Sequence, residues 1–453
     1  MTARVPSHRD WLYAGSVSER ALGRALGGIG YCLLCVLVFD LPWGESFPMI
    51  AGMPLGSWLG LLILGVEAMR ILVLWQSRRP SPLHHWMLAF VAWVMLSIFW
   101  TVDVPSTVSR AGTFLQLLIL AWIIWELAVT QARVRGLLQS YVLGALAASL
   151  GTIYNFLLGH TAAQLAAEEG RTVWETSRYS LAGINENDLG LILALSIPMI
   201  FYLLVCGKRP LVKVLCWLQL VAGFTAILLT ASRGSLVAAI LGLVMYPLTV
   251  SRLTRWQRVI SLTASAGLVV CCLYLVPLSS WNRIFEFGEE VSEGTLTHRT
   301  VIWSAGWGVF RDHALLGVGA GAYGPAVLSV VNVPYVAHNT FLSVTVELGV
   351  VGALLLFGLL SSILYCAWRM HYLERCLWLA LLLTWTVGVS ALTWEHRKPT
   401  WLLFSLVAAH AYARRRGEHP WLDEAGGARF MPGMTRTLNS RRAEYVPYLQ
   451  ERQ

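Results

Sequence analysis

The chain has 453 residues, of which 56% are hydrophobic and only 13% charged, and apolar runs recur along most of its length. That composition excludes a soluble multidomain protein and makes a lipid bilayer the solvent in which the sequence is to be read. The net charge of +9 does not imply a nucleic-acid partner, because the basic residues sit in short loops between apolar runs, where topology signals account for most of them.

A spanning helix needs about 20 mostly apolar residues. In chain order the runs read as spans are 25–41, 55–75, 84–100, 111–130, 136–158, 189–206, 211–230, 234–250, 258–278, 338–366, 376–393 and 400–413. They predict an all-α polytopic membrane protein of about 12 transmembrane helices. The first run follows a basic leader with Arg4, Arg9, Arg20 and Arg24, and no small-residue cleavage site precedes Asp40 and Pro42, so it reads as an uncleaved first helix.

Basic residues test this assignment, because a wrong span count would scramble their alternation between loops. One set of segments holds nineteen, from Arg4 to Arg416, and the other holds nine over longer loops, so both termini are expected on the cytoplasmic side. Residues 1–413 form one expected transmembrane domain. The polar tail 414–453, with Pro420, Pro432 and Pro447, is expected to be cytoplasmic and disordered.

Two outer segments are long, 159–188 and 279–337, and long connections usually carry function. The second contains an amphipathic stretch from His298 to His313, with Val301, Ile302, Ala305, Val309 and Phe310 expected on one side, suited to lying along the membrane and roofing the outer face. The eight cysteines fall within or at the ends of apolar segments and give neither a disulfide framework nor a zinc ligand set.

The informative polar residues border the membrane on the outer side. Arg233 lies in the short turn Thr-Ala-Ser-Arg-Gly-Ser, where Gly234 permits close backbone approach. It is either an interfacial anchor or a phosphate ligand, whose geometry a guanidinium fork suits better than an ammonium. Arg299 has the same two readings, the bland one being an ion pair with a neighbour such as Glu293. Arg178 and Asn187, in and before the polar cluster Asn185–Asp188, are supporting candidates. His338 in Ala-His-Asn is either a helix-start residue or a proton acceptor near neutral pH. Glu347 lies nine residues on, too deep to touch His338 along one helix, so a pairing with another helix is expected. Gly317, Gly319 and Gly321 follow no strand, so a nucleotide-binding motif is rejected in favour of a turn at the membrane surface.

These segments together resemble the O-antigen ligase and polymerase superfamily of bacterial surface-glycan assembly. The resemblance rests on Leu-Ala-Gly-Ile-Asn-Glu-Asn-Asp at 181–188, Ser-Arg-Gly at 232–234, His-Arg with Trp303 four residues after the arginine, and the Gly317–Gly321 turn. Ala-His-Asn-Thr-Phe-Leu at 337–342 and Glu347-Leu348-Gly349 complete it. Where the family pattern has a proline after the first asparagine, this chain has Glu186.

The resemblance implies glycosyl transfer from an undecaprenyl-diphosphate-linked glycan to a lipid A-core hydroxyl, or to another glycan, at the periplasmic face of the bacterial inner membrane. It places donor diphosphate binding on Arg233 and Arg299 and catalysis on His338. The implied reaction needs no ATP, metal or cofactor and proceeds by inversion. Partners are then the lipid-linked donor, the acceptor and membrane lipids. A polymerase would use the same donor. A lipid-glycan transporter would instead show ionisable residues near the midplane of its helices.

Overall fold

The computed structural model describes residues 8–47, 49–168, 178–207, 209–249, short pieces between 253 and 281, 299–331 and 335–418. The described residues are almost wholly helical and contain no strand. Nine helices among them are long and apolar enough to cross a bilayer. They are Ala21–Asp40, the later part of α1 (His8–Asp40); α2 (Leu55–Leu74); Pro82–Phe99, made of α3 (Pro82–Leu96) and a short 3-10 turn; α4 (Val104–Leu127); and α5 (Gln131–Leu157). After the short α6 (Ala162–Glu168) come α7 (Glu186–Cys206) and α8 (Pro210–Leu229).

The run 234–250 becomes two shorter pieces, α9 (Arg233–Gly242) and α10 (Met245–Thr249), and 258–278 lies largely outside the described residues. Two short helices of the second long loop follow, α11 (Arg299–Asp312) and α12 (Tyr323–Val331). The last two long apolar spans are α13 (Thr340–Trp368) and α14 (Tyr372–Val389). The run 400–413 is helical within α15 (Lys398–Glu418). Other sequence expectations also fall outside the described residues: 169–177 and 282–298 of the two long loops, with Glu293 and the His298 end of the amphipathic stretch, and the tail from 419, whereas residues 414–418, expected to be disordered, continue α15 as helix.

The bundle is built around α7, which is buried along nearly its whole length. Close packing there depends on glycine. A Cβ at Gly190 would sit 2.5 Å from the Ser235 Oγ of α9, so the two helices meet at backbone distance. By contrast α2 exposes most of its apolar surface, as a helix facing lipid does. At one end of the bundle Arg70 joins Glu67 and Glu126, and the Arg78 guanidinium lies 3.9 Å from the Trp125 ring centre and 4.3 Å from that of Tyr412.

The opposite end is organised by a break in α13. Gly349 has φ +66° and ψ −167°, which interrupts the helical ladder and frees carbonyls for other donors. Val346 O accepts from Val318 N at 3.1 Å, Glu347 O from Gly319 N at 2.8 Å, and Leu348 O from the Trp93 indole at 3.0 Å. In return Val350 N donates to Ala314 O at 2.8 Å. Gly317, Gly319 and Gly321 all have positive φ, and a Cβ at Gly319 or Gly317 would strike Thr101 or the backbone at Glu347. The glycines therefore do more than turn the chain: they let loop backbone enter the broken helix and satisfy its stranded groups.

α11 and α12 pack on each other through the Tyr323 hydroxyl, which donates to Ile302 O at 2.9 Å. Ile302 and Ala305 are buried and Val309 and Phe310 half-buried, as the amphipathic pattern requires. Val301 is the correction: it is half exposed, because it lies a helical step of about 100° from Ile302 and falls off the buried stripe.

Candidate active site

Four connections meet at the end of the bundle that holds the broken helix. They are 178–188 before α7, 230–235 between α8 and α9, 337–340 at the head of α13, and 390–398 between α14 and α15.

In the first, Asn185 caps α7 by accepting from the Asn187 N–H at 2.9 Å. Arg178 is buried and donates from Nε to Thr230 O at 2.7 Å and from Nη2 to Asn187 Oδ1 at 2.8 Å, with Glu186 at 3.6 Å. Its guanidinium thus staples the loop to the α8–α9 turn. Glu186, at the place where the family pattern carries proline, supplies the balancing charge.

The α8–α9 turn passes through Ala231 at φ +48° and delivers Arg233 as the first residue of α9. Ser235 Oγ donates to Asn187 O at 3.1 Å, tying this turn to α7, and a Cβ at Gly234 would lie 3.2 Å from Ala391 Cβ. Arg233 is half-buried beside the opening N–H groups of a helix, surroundings that favour an anion.

His338 precedes α13 at φ +47°, in the left-handed region that few non-glycine residues occupy. Asn339 then caps the helix by accepting from Leu342 N at 3.0 Å. Trp303 of α11 donates its indole N–H to Ala337 O at 2.9 Å, and Arg299, one turn earlier on that helix, faces the same way. Burial, and then the positive charge of Arg299, push the His338 imidazole down to about 4, while the Asp188 carboxylate acts in the opposite sense. The ring is therefore neutral at neutral pH and keeps a lone pair.

The fourth connection, 390–398, holds the other three together. Asp188 accepts from the Trp394 indole at 2.8 Å and from Arg397 Nη2 at 2.6 Å, and Arg397 also reaches Glu45 at 3.2 Å. Trp394 N donates to Thr340 Oγ1 at 2.7 Å, and that hydroxyl donates to Leu392 O at 2.8 Å, so the first residue of α13 is clamped on both sides. Glu395 is buried, with His396 at 3.1 Å and Arg110 at 3.9 Å. Burial works to raise its carboxyl, but His396 and Arg110 together hold it below the ordinary glutamate value.

Glu347 belongs to this framework. Its Oε2 accepts from Gly321 N at 2.6 Å and its Oε1 from Ser343 Oγ at 3.3 Å, and Arg110 and Glu395 act on it electrostatically. A pairing with another helix was expected; the hydrogen bonds go instead to the glycine turn and to Ser343 of its own helix, while Arg110 of α4 acts only electrostatically.

Of the residues singled out in the sequence, Arg299 and His338 are drawn together, Arg233 stands across the 390–394 turn from α13, and Arg178, Asn187 and Glu347 are engaged in the surrounding scaffold. Asp188, Trp394 and Arg397 escaped notice as site residues. A signal was present in Thr-Trp-Glu-His-Arg-Lys at 393–398, which puts two basic residues in a short connection expected on the outer side, against the positive-inside tendency.

Residues 218–357 match the family model described as O-antigen ligase (Wzy_C). Comparison with curated proteins gives no match. The matched segment, just under a third of the chain, contains Arg233, Arg299, His338 and Glu347 and supports the O-antigen ligase superfamily, whose members are of the O-antigen ligase or polymerase glycan-transfer type.

Proposed function

We propose that this protein transfers a glycan from an undecaprenyl-diphosphate-linked donor to a hydroxyl of lipid A-core, at the periplasmic face of the bacterial inner membrane. The observation that carries this reading is a histidine neutralised by burial and by Arg299, at the polar end of an apolar bundle, inside the segment that matches the O-antigen ligase family. Both termini lie in the cytoplasm in this reading, which puts the His338 end of the bundle outside.

The chemistry follows from the residue types. Arg233 and Arg299 bind the donor diphosphate and stabilise the negative charge that grows on it as the glycosidic C–O bond breaks. His338 accepts the proton of the acceptor hydroxyl as its oxygen bonds to the anomeric carbon from the opposite face, giving inversion in one step. The diphosphate leaves with the bonding electron pair. A donor diphosphate beside Arg299 offsets the positive charge that depresses His338, so the base gains strength when the donor is bound.

The test is transfer in reconstituted bilayers from purified undecaprenyl-diphosphate glycan to lipid A-core, with native protein, His338→Ala and Arg233→Ala compared by gel shift. Glycan joined to lipid A-core by the native protein and lost in either variant is the expected result. Lengthened donor-linked glycan alone would make the protein a polymerase. No transfer with competent substrates would move a transporter ahead.

A further inference from the structure

Beside Asp188 lies a cavity of about 120 Å³ walled by Asp40, Glu45, Asp188, Trp394, Arg397 and Lys398, with Ile184 and Ile192 supplying apolar surface. Glu45 and Asp188 are both committed to Arg397. Asp40 and Lys398 act on each other electrostatically, but among the described residues no direct ion pair joins them, and Asp40 Oδ1 is buried without a hydrogen-bond partner. Both reach the bare face of Gly56, where a Cβ would lie 2.9 Å from Asp40 Oδ2 and 3.3 Å from Lys398 Nζ. An acceptor, Asp40 Oδ2, and a donor, Lys398 Nζ, thus flank a space that the protein does not fill.

We propose that this cavity is a subsite for one sugar ring of the acceptor glycan, gripped through its hydroxyls by Asp40 and Lys398. The inference rests on the glycan-transfer reading above. Sugar hydroxyls both donate and accept, so one ring can satisfy a carboxylate and an ammonium together. A phosphate would meet the carboxylates of Asp40, Glu45 and Asp188, and a cation would meet Arg397 and Lys398. Ile184 and Ile192 suit the C–H face of a ring. The volume holds several waters by the usual measure of about 10–15 Å³ each, the scale of one ring and below the roughly 300 Å³ of ordinary ligand pockets. Its wall Asp188 is the carboxylate that acts on His338, which places the ring on the side of the proton acceptor.

The experiment uses the full chain in lipid nanodiscs. Its probe is core oligosaccharide freed of lipid, followed by saturation-transfer NMR, with donor and acceptor KM measured alongside. The native protein is expected to transfer saturation to one terminal ring. Asp40→Asn, Lys398→Gln and Gly56→Ala are expected to abolish that signal and raise the acceptor KM about tenfold, with donor KM and kcat unchanged. Gly56→Ala sets a methyl between Asp40 Oδ2 and Lys398 Nζ, displacing their grip without removing a charge, so it decides the matter should Asp40→Asn fail to fold. An unmoved acceptor KM in folded variants, or a donor KM that rises equally, overturns the subsite while the transfer reading stands. Oligosaccharide binding that needs Asp40 in a native protein without transfer activity would keep the subsite and remove the transfer reading.

Discussion

Trp394 donates its indole N–H to Asp188 Oδ1 at 2.8 Å, joining residues 206 positions apart, while its backbone N–H holds Thr340, two residues after His338. One side chain and its own amide therefore fix the spacing between the start of α7 and the head of α13. Trp394→Phe keeps an aromatic ring but removes the donor and the fused pyrrole part of a fully buried side chain, leaving the Asp188 oxygen short of a partner. The expected cost is about 1–3 kcal/mol of stability, read as a lowered melting temperature in detergent, with kcat falling more than donor KM changes.

His338→Gln is expected to lower kcat at least about 100-fold, the usual contribution of a positioned base. The pH profile separates base from scaffold. With the folded imidazole held near 4, kcat/KM stays level as pH falls through 6.5 and declines only towards 4. Arg299→Gln removes a charge that lowers the pKa, so the acid limb of its residual activity moves up towards 6.5. Asp188→Asn removes a charge that raises it, so the limb moves down. An acid limb at 6.5 in the native protein would count against His338 as the base.

The same shift has a folding counterpart. Unfolded, the imidazole returns to about 6.5 and binds protons more readily than it does folded. Its neutral burial costs nothing above pH 6.5 and destabilises the fold increasingly as pH falls from 6.5 towards 4. His338→Gln is expected to flatten that part of a melting-temperature profile.

Arg233→Lys and Arg299→Lys keep the charge and lose the planar fork. If both grip a diphosphate, each lysine variant retains more activity than the alanine variant and still loses about 10-fold or more in kcat. Equal activity in lysine and native proteins would leave only a point charge to explain, and unchanged activity in alanine variants would return both residues to membrane anchoring.

Gly349→Ala and Gly319→Ala test the docking of the glycine turn into α13. Both positions have positive φ, and an added Cβ at either would collide with Leu315 or Thr101. A loss of about 1–3 kcal/mol is expected, measured as reduced yield of folded protein and a lower melting temperature.

Much of the fold was legible because it is written in one-dimensional terms. Apolar length marks a span whatever it packs against, so nine of the runs correspond to long apolar helices. The short turn Ser-Arg-Gly is equally local, and Arg233 could be placed in a turn between helices and His338 at a helix start. The break at Gly349 was not legible, since the run 338–366 stays mostly apolar on both sides of Glu347 and only its partner in the glycine turn reveals why the ladder opens. Nor could spacing show that Arg178 spends its donors on Thr230 and Asn187, or that Asp188 meets Trp394 and Arg397 from the far end of the chain. Those pairings are fixed by how the helices assemble.

The break at Gly349 also changes how His338 responds to movement of the surrounding lipid. An unbroken rod of 29 residues is about 43 Å long at 1.5 Å per residue, and rocking it by about 10° would carry its tip some 7 Å. The half-helix from Thr340 to Leu348 is about 13 Å long, so the same rocking of that piece alone moves its head only about 2 Å. Because that piece is fastened to Trp394, Leu392 and the glycine turn, the lever arm beneath His338 is short. The lower half of α13 packs separately beyond the break, so the position of the histidine beside Arg299 is set by the short upper piece and its fastenings.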